Sequence, residues 1–565
     1  SFKLVDTMAA EWEAKTNYCY LTYGDREDDV QFDDDKRKVV ILGAGCIRIG
    51  SSVEFDYCTM NTAWAMKEEG IDEVIVVNNN PETVSTDYDM SDKLYFEEIT
   101  LERVLDIVER ERPLGVVVGV GGQTPNNLAL PLEAQGIRLL GTPARGIDRA
   151  EDRSKFSALL DRLKIPQPVW GHLTSLEDLK NFGRRFGYPV LIRPSYVLSG
   201  AAMRVANDEE ELIDYVRLAT EVSPEHPVVI SKFIPNAREV EVDGVSDGRD
   251  VLIGAIIEHI ELAGTHSGDA MMVIPPQTLD SSVVSRIQNY TERVARALNI
   301  RGVFNIQFLV KDGTPYIIEC NLRASRSMPY TSKSTGIPLI WIGAKVMLGK
   351  TLRELNCLKR PTSIHVAVKA PVFSFMRLKG ADPVLGVEMT STGEVACLDY
   401  DFPGALIKAL KASNLAIPEP ETPILITVRK GDKEHAVRIA KKLRGMRYPI
   451  YATRGTAEVL EKAGIEDVKV LRKVGEEDGE EDIIDHLMSR EIGLVINTPT
   501  SASRRSLDDG YAIRRTAVEF FVPVITRIET AEALVDALEE NEYGSMINVL
   551  PLDDAIKASS LSKYV

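Results

Sequence analysis

Short apolar runs recur along the first part of the chain, at 39–42 (VVIL), 74–77 (VIVV), 116–120 (VVVGV) and 137–140 (IRLL), with longer helical patterns between them. Unbroken apolar runs of this length mark strands buried on both faces, and their alternation with helices predicts a parallel sheet covered on both sides. We therefore expect a three-layer α/β domain over 38–148. From 149 the texture changes to strands that alternate apolar and polar residues, with helical patterns at RSKFSALLDRLKI and about 281–298 and a hairpin at GVFNIQFLVKDGTPYIIECN. That mixture predicts an α+β domain over 149–370. A Gly- and Pro-rich connector follows over 371–420, ending in IPEPETP, and strand–helix alternation resumes in a small α/β domain over 421–555. The opening, SFKLVDTMAAEW, has an amphipathic, helical look and no initiating methionine, so 1–37 reads as the end of something longer.

Charge narrows the partners. With 67 basic and 85 acidic residues the chain carries a formal charge of −18, which disfavours nucleic acid. Six cysteines are scattered without a CxxC pair, so neither a disulfide framework nor a zinc ribbon is expected and a reduced, cytoplasmic-type setting fits. No apolar run reaches the ~18 residues of a membrane span.

The chemistry concentrates at IIECNLRASRS, 317–327. On a strand, Glu319, Asn321 and Arg323 share one face, while Ile318, Cys320 and Leu322 share the other. An exposed sheet face with a surface ion pair would explain this equally well in isolation. The facing strand decides: with Asp312, Gly313 and Thr314 as a three-residue loop, Gln307 lies opposite Glu319, whereas a two-residue Asp-Gly turn would set Glu319 against Ile306. The first register gathers Gln307, Glu319 and Asn321, three hard oxygen donors suited to Mg²⁺ with nucleotide phosphates completing its shell. Two further segments carry weaker signals. Arg193 ends a strand before the small-residue loop at Ser199 and Gly200, a candidate phosphate cradle. His266 sits in the polar loop AGTHSGDA. The glycine turn Gly43-Ala44-Gly45 lacks the remaining features of a dinucleotide fingerprint, since Arg48 occupies the third position and VVNNN ends without an acid.

Together RIGSSVEFD, NNNPETVSTDYD, GGQTPNNLA, DRAEDRSKF, RPSYVLSGAAM, HSGDA, NIQF and IECNLRASRS closely resemble the second synthetase half of the carbamoyl-phosphate synthetase large subunit, within the ATP-grasp superfamily. The resemblance implies a connector or oligomerisation end over 1–37, a pre-ATP-grasp domain, an ATP-grasp domain and a methylglyoxal-synthase-like allosteric domain. It implies phosphorylation of carbamate by ATP with Mg²⁺ or Mn²⁺, and K⁺ as a further ion. Partners would be the first synthetase half, a glutaminase subunit or domain, a small-molecule effector and a further copy in a homo-oligomer. Arg153 and Arg193 would contact phosphates, and Ser199 and Gly200 would form the lid. Lys232 and Ile234 would offer backbone groups to adenine, Glu239 would bind ribose, and Gly264, Thr265, His266 and Ser267 would line the nucleotide pocket. Gln307, Glu319 and Asn321 would hold divalent ions, with Arg323 and Arg326 facing carbamate and the phosphoryl group. Ser199 and Leu322 depart from the common pattern of glycine and proline at those positions. In the last domain Lys433, Thr453, Thr456, Lys473 and Asn497 become candidates for an effector phosphate, although helix capping would also explain the threonines and the asparagine.

Overall fold

Fully buried strands at Lys38–Leu42 and Glu73–Val77 anchor the first sheet. The computed structural model describes residues 1–9, 11–12, 15–24, 26–49, 53–173, 175–194, 203–222, 228–358, 364–472, 482–499, 504–541, 549 and 551–557. Parallel strands run in the order Lys93–Tyr95, Glu73–Val77, Lys38–Leu42, Val116–Val117, as the apolar runs predict. The fourth run differs: Leu139 makes only an isolated bridge to Val116. Beyond Val116–Val117, Gly121 lies against the first glycine turn, where an added Cβ would stand 2.2 Å from the Gly43 carbonyl oxygen. Only glycine permits that approach.

The opening residues are strand, not helix. Phe2–Leu4 pairs antiparallel with Tyr18–Leu21, which pairs with Lys93–Tyr95 and so extends the first sheet. Phe2 is buried edge-on against Phe32 and Tyr95. These contacts lie far along the chain, so local periodicity misjudged the segment.

The middle region holds two antiparallel sheets. Trp170–Leu173, Val228–Lys232, Val190–Pro194 and Arg204–Ala206 form the smaller. The larger runs Thr314–Asn321, Arg301–Lys311, Arg238–Asp247, Val251–Leu262, Met272–Ile274, Val366–Val372, Gly393–Asp399, and its last strand falls in the stretch expected as connector. Its even-numbered central positions, including Val240, Val242, Ile306 and Phe308, pack on helix Ser281–Leu298 in one apolar core. The opposite face is polar at its centre and is covered by helix Ser327–Thr335, whose Thr331 donates to Asp243 at 2.7 Å. In the last region five parallel strands run Lys469–Leu471, Ile450–Thr453, Ile424–Thr427, Leu494–Asn497, Val524–Ile525.

The hairpin reaches the expected pairing by another route. Lys311 pairs with Thr314, so the loop has two residues, Asp312 and Gly313, with φ of 47° and 72°. Positive φ at both positions is the type I′ geometry that suits the twist of a hairpin. Continued without interruption, this register would set Glu319 against Ile306. A β-bulge intervenes: Phe308 pairs with Ile317 and Gln307 with Glu319, leaving Ile318 as the extra residue. It is accordingly Ile317, not Ile318, that joins Cys320 and Leu322 in the core.

Candidate functional site

Three neighbouring strands place six polar side chains in two rows. Glu241, Gln307 and Glu319 oppose one another across the strands, and so do Asp243, Asn305 and Asn321. Directly opposed residues stand about 4.5–5.5 Å apart, so each row is a contact series. Gln307 Nε2 donates to Glu241 Oε1 at 3.3 Å, and Asn305 Nδ2 donates to Glu241 Oε2 at 3.0 Å and Asp243 Oδ1 at 2.9 Å. Ser325 donates to Asp243 Oδ1 at 2.7 Å, and His259 Nε2 lies 3.3 Å from Glu241 Oε1. Burial pushes the Glu241 carboxyl up, but His259, Asn305 and Lys369 outweigh it and hold the group at about 2. For Glu239, two residues along the same strand face, burial dominates. Opposed by His259 and reinforced by the charges of Glu241 and Glu319, it lifts the carboxyl to about 7.

The bulge is held from outside the sheet. Asp152 caps helix Arg153–Arg162, which fixes Arg153 at its first position. From there Arg153 Nη1 donates to the carbonyl of the extra residue, Ile318, at 2.7 Å.

Arg323 and Arg326 follow the strand. Arg323 donates through Nε to Gln123 Oε1 at 2.9 Å, through Nη1 to Ala324 O at 2.9 Å and through Nη2 to Asn321 Oδ1 at 3.2 Å. The next residue, Ala324, donates its N–H to Gly119 O at 2.7 Å. The arginine therefore sits where the first sheet reverses strand order, beyond the carboxyl ends of Lys38–Leu42 and Val116–Val117, the usual ligand crevice of such sheets. Arg326 stands at the N-terminal boundary of helix Ser327–Thr335, and burial lowers its pKa against the opposing charges of Glu54, Glu241, Asp269 and Glu394.

The loop after Val251–Leu262 is pinned at both ends. His266 N–H donates to Gly386 O at 2.7 Å, and Asp269, fully buried, accepts from the Thr390 and Ser391 amides at 2.9 Å each. A Cβ on Gly268 would meet Met389 Sδ at 2.8 Å. Gly264 has φ of +110°, and Thr265 is buried. Gly268 N–H donates to His266 Nδ1 at 3.0 Å, which requires that nitrogen to be unprotonated. Burial and the Arg326 charge lower the His266 pKa from 6.5 to about 4. Between those values the unfolded chain takes up a proton that the folded chain refuses, so stability falls as pH drops through this window. His266→Asn, which keeps an acceptor for Gly268 without a titrating group, is expected to show a shallower fall in melting temperature between about pH 6.5 and 4.5 than the unmodified chain.

Other expected residues divide. Lys232 ends its strand with its N–H already donated to Val169 O at 2.8 Å, so that group is not on offer to adenine, and its Nζ donates to Gly187 O and Tyr188 O at 2.9 Å. Ile234 lies two residues beyond, outside the strand. Arg193 pairs with Val229 in the smaller sheet, but its side chain, like Ser199, Gly200 and Lys473, lies outside the described residues. In the last region Lys433 Nζ donates to Thr456 Oγ1 at 2.6 Å, and Thr427 and Thr453 hydroxyls lie 3.2 Å apart. Asn497 pairs in register with Thr427 and accepts from Arg514 Nη1 at 2.7 Å. Lys433, Thr453, Thr456 and Asn497 thus gather at the carboxyl edge of one parallel sheet. Sequence reasoning missed Glu241 and Asp243, although the alternation in REVEVDGVSD put them on the face of Glu239.

A divalent cation fits this donor set. Gln307 donates its amide nitrogen to Glu241 rather than to Glu319, its partner on the other neighbouring strand, which leaves its carbonyl oxygen as the end of the amide suited to a cation. Among the described residues no three His, Cys, Asp or Glu side chains form a metal-binding group. The trio accordingly relies on two amides and one carboxylate.

Known proteins match along the chain. The family model described as carbamoyl phosphate synthase preATP-grasp domain matches 35–149, that of the carbamoyl-phosphate synthase L chain ATP binding domain matches 152–355, and an MGS-like domain matches 435–526. The carbamoyl phosphate synthase large chain, C-terminal section, of Methanocaldococcus jannaschii is 48% identical, over 98% of this chain and 91% of that protein. The large chain of Methanothermobacter thermautotrophicus is 49% identical over 98% of this chain but only 51% of its own length, so the chain spans about half of such full-length relatives. Among solved structures, the biotin carboxylase domain of the Hydrogenobacter thermophilus 2-oxoglutarate carboxylase, crystallised with MgADP and bicarbonate, aligns with a TM-score of 0.54 at 17% identity, covering 66% of this chain and 90% of that one. At that identity the likeness concerns the fold: a pre-ATP-grasp and ATP-grasp architecture, followed here by the MGS-like domain.

Proposed function

Because this chain belongs to the carbamoyl phosphate synthase large-chain family, we propose that it carries the second synthetase reaction, the ATP-dependent phosphorylation of carbamate to carbamoyl phosphate. The observation that carries the reading is the two-row polar grid with Arg323 at its edge, where three oxygen donors and a guanidinium converge on one wall between the first sheet and the larger middle sheet. Carbamate oxygen attacks the γ-phosphorus of ATP, the bond from that phosphorus to the β,γ-bridging oxygen breaks, and ADP leaves with the electron pair. No general base is required, since carbamate is already an anion.

Phosphoryl transfer is served mainly by positioning and charge neutralisation. Gln307, Glu319 and Asn321 hold Mg²⁺, with Mn²⁺ as a substitute, and the bound ion supplies neutralisation of the phosphate charge. Arg323 is braced by Gln123 and Asn321, and together with Arg326 it orients carbamate and the transferring group. Arg153 and Arg193 bind phosphates under a lid that includes Ser199 and Gly200, which excludes water from a substrate that water destroys. Ile234 and the carbonyl of Lys232 serve adenine, Glu239 the ribose, and Gly264 to Ser267 wall the pocket, with K⁺ as a further ion. The large-chain relatives are about twice as long, and the first synthetase half, on the same or another polypeptide, is the partner that supplies carbamate, with a glutaminase supplying nitrogen. The last domain binds a phosphorylated small molecule at Lys433, Thr453, Thr456 and Asn497, with Lys473.

The test is the reverse half-reaction. The full chain given MgADP and carbamoyl phosphate is expected to form ATP. A chain that melts cooperatively yet forms none sinks this reading.

A further inference from the structure

The polar grid contains a carboxylate to which the reaction gives no role. We infer that Glu241 is a positioning residue: it takes the amide N–H of Gln307, and so turns the Gln307 carbonyl oxygen toward Glu319 to complete the divalent-cation ligand pair. The inference rests on the divalent-cation reading above.

A glutamine amide has a donor end and an acceptor end, and only the acceptor end can ligate a cation. Gln307 stands in register between two carboxylates, Glu241 on one neighbouring strand and Glu319 on the other. Either could accept its N–H. If Glu319 accepted it, the amide nitrogen would face the cation and the ligand would be lost. The structure shows the opposite choice, with Nε2 on Glu241 Oε1 at 3.3 Å.

The surroundings of Glu241 explain why it prevails. Its Oε2 accepts from Asn305 Nδ2 at 3.0 Å and from Ser327 Oγ at 3.4 Å, and its Oε1 lies 3.3 Å from His259 Nε2. The carboxylate is 3% exposed, whereas Gln307 and Glu319 are both partly open. A buried carboxylate clamped on both oxygens is a fixed acceptor, and an amide beside a fixed acceptor has one orientation. Groups behind metal ligands commonly act this way, and their loss lowers metal affinity about 10- to 100-fold.

The test compares Glu241→Gln in two backgrounds. In the unmodified chain saturated with ADP, Mn²⁺ binding followed by electron paramagnetic resonance is expected to weaken at least ~10-fold. In a Gln307→Glu chain, where residue 307 presents oxygen in either orientation, the same change is expected to cost less than ~2-fold or to improve binding. Equal losses in both backgrounds, or none in the first, overturn the inference, because a merely structural role would not depend on residue 307. Should Glu241→Gln fail to melt cooperatively, Glu241→Asp keeps the charge and withdraws the acceptor from Gln307. It is expected to weaken Mn²⁺ binding in the unmodified background only, and an unaltered affinity there likewise overturns the inference. Glu319→Gln separates the two levels. If it leaves Mn²⁺ binding intact, the cation reading itself fails. If it abolishes binding while Glu241→Gln does not disturb it, only the role of Glu241 falls.

Discussion

Glu319→Gln is expected to reduce ATP formation from carbamoyl phosphate and ADP by about 10³-fold or more while leaving the fold intact. Glu319 is the one carboxylate among the three proposed ligands. Glutamine preserves its shape but replaces an anionic oxygen with a neutral carbonyl and an N–H that repels a cation. Little is asked of the core, because its neighbours Cys320 and Leu322 carry the apolar side of the strand and are each 2% exposed. The check is a coupled ATP assay beside a thermal melt. Near-normal activity in a folded variant would refute the ligand assignment.

Arg323 should separate charge from geometry. Its guanidinium is spread over three acceptors, Gln123 Oε1, Ala324 O and Asn321 Oδ1, in three directions. Lysine keeps the charge but offers a compact ammonium that cannot reproduce a planar three-way fork. We expect Arg323→Ala to lose about 10³- to 10⁵-fold in turnover, in the range of arginines that stabilise transferring phosphoryl groups. Arg323→Lys should recover no more than about 10-fold of that loss, since orientation carries most of the effect. If lysine restored turnover almost fully, charge alone would suffice and the bracing by Gln123 would be incidental. Measuring turnover at saturating substrates keeps weakened binding from masking the comparison.

Much of the architecture was legible because burial on both faces writes itself as unbroken apolar runs, as at 39–42 and 74–77. What escaped depended on partners far along the chain. Phe2 is strand because Phe32 and Tyr95 receive it. The facing of Gln307 and Glu319 was anticipated, but on the wrong loop: the turn is the tight Asp-Gly type, and the pairing is restored by a bulge at Ile318. Nothing in the hairpin sequence announces that bulge, whose carbonyl is met by Arg153 from a helix 165 positions away. Glu241 and Asp243 were readable as face-mates of Glu239, yet their value lies in the amides they orient, which needs strand order as well as strand face. Clustering of Lys433, Thr453 and Thr456 followed from strand-to-helix turns in a parallel sheet, whose carboxyl ends necessarily converge.

The bulge also separates two parts of the hairpin that otherwise would share a single register. Because slack is taken up between Phe308 and Gln307, the tip and the polar grid can vary independently. One residue added to the turn and one removed at Ile318 would leave Lys311 on Thr314 and Gln307 on Glu319, with the chain no longer and no shorter. Such a compensated pair of changes would preserve the spacing of the wall while erasing the foothold of Arg153. A hairpin of the same length can therefore hold these ligands by a different route, so the position of its turn does not by itself fix the register at Gln307 and Glu319.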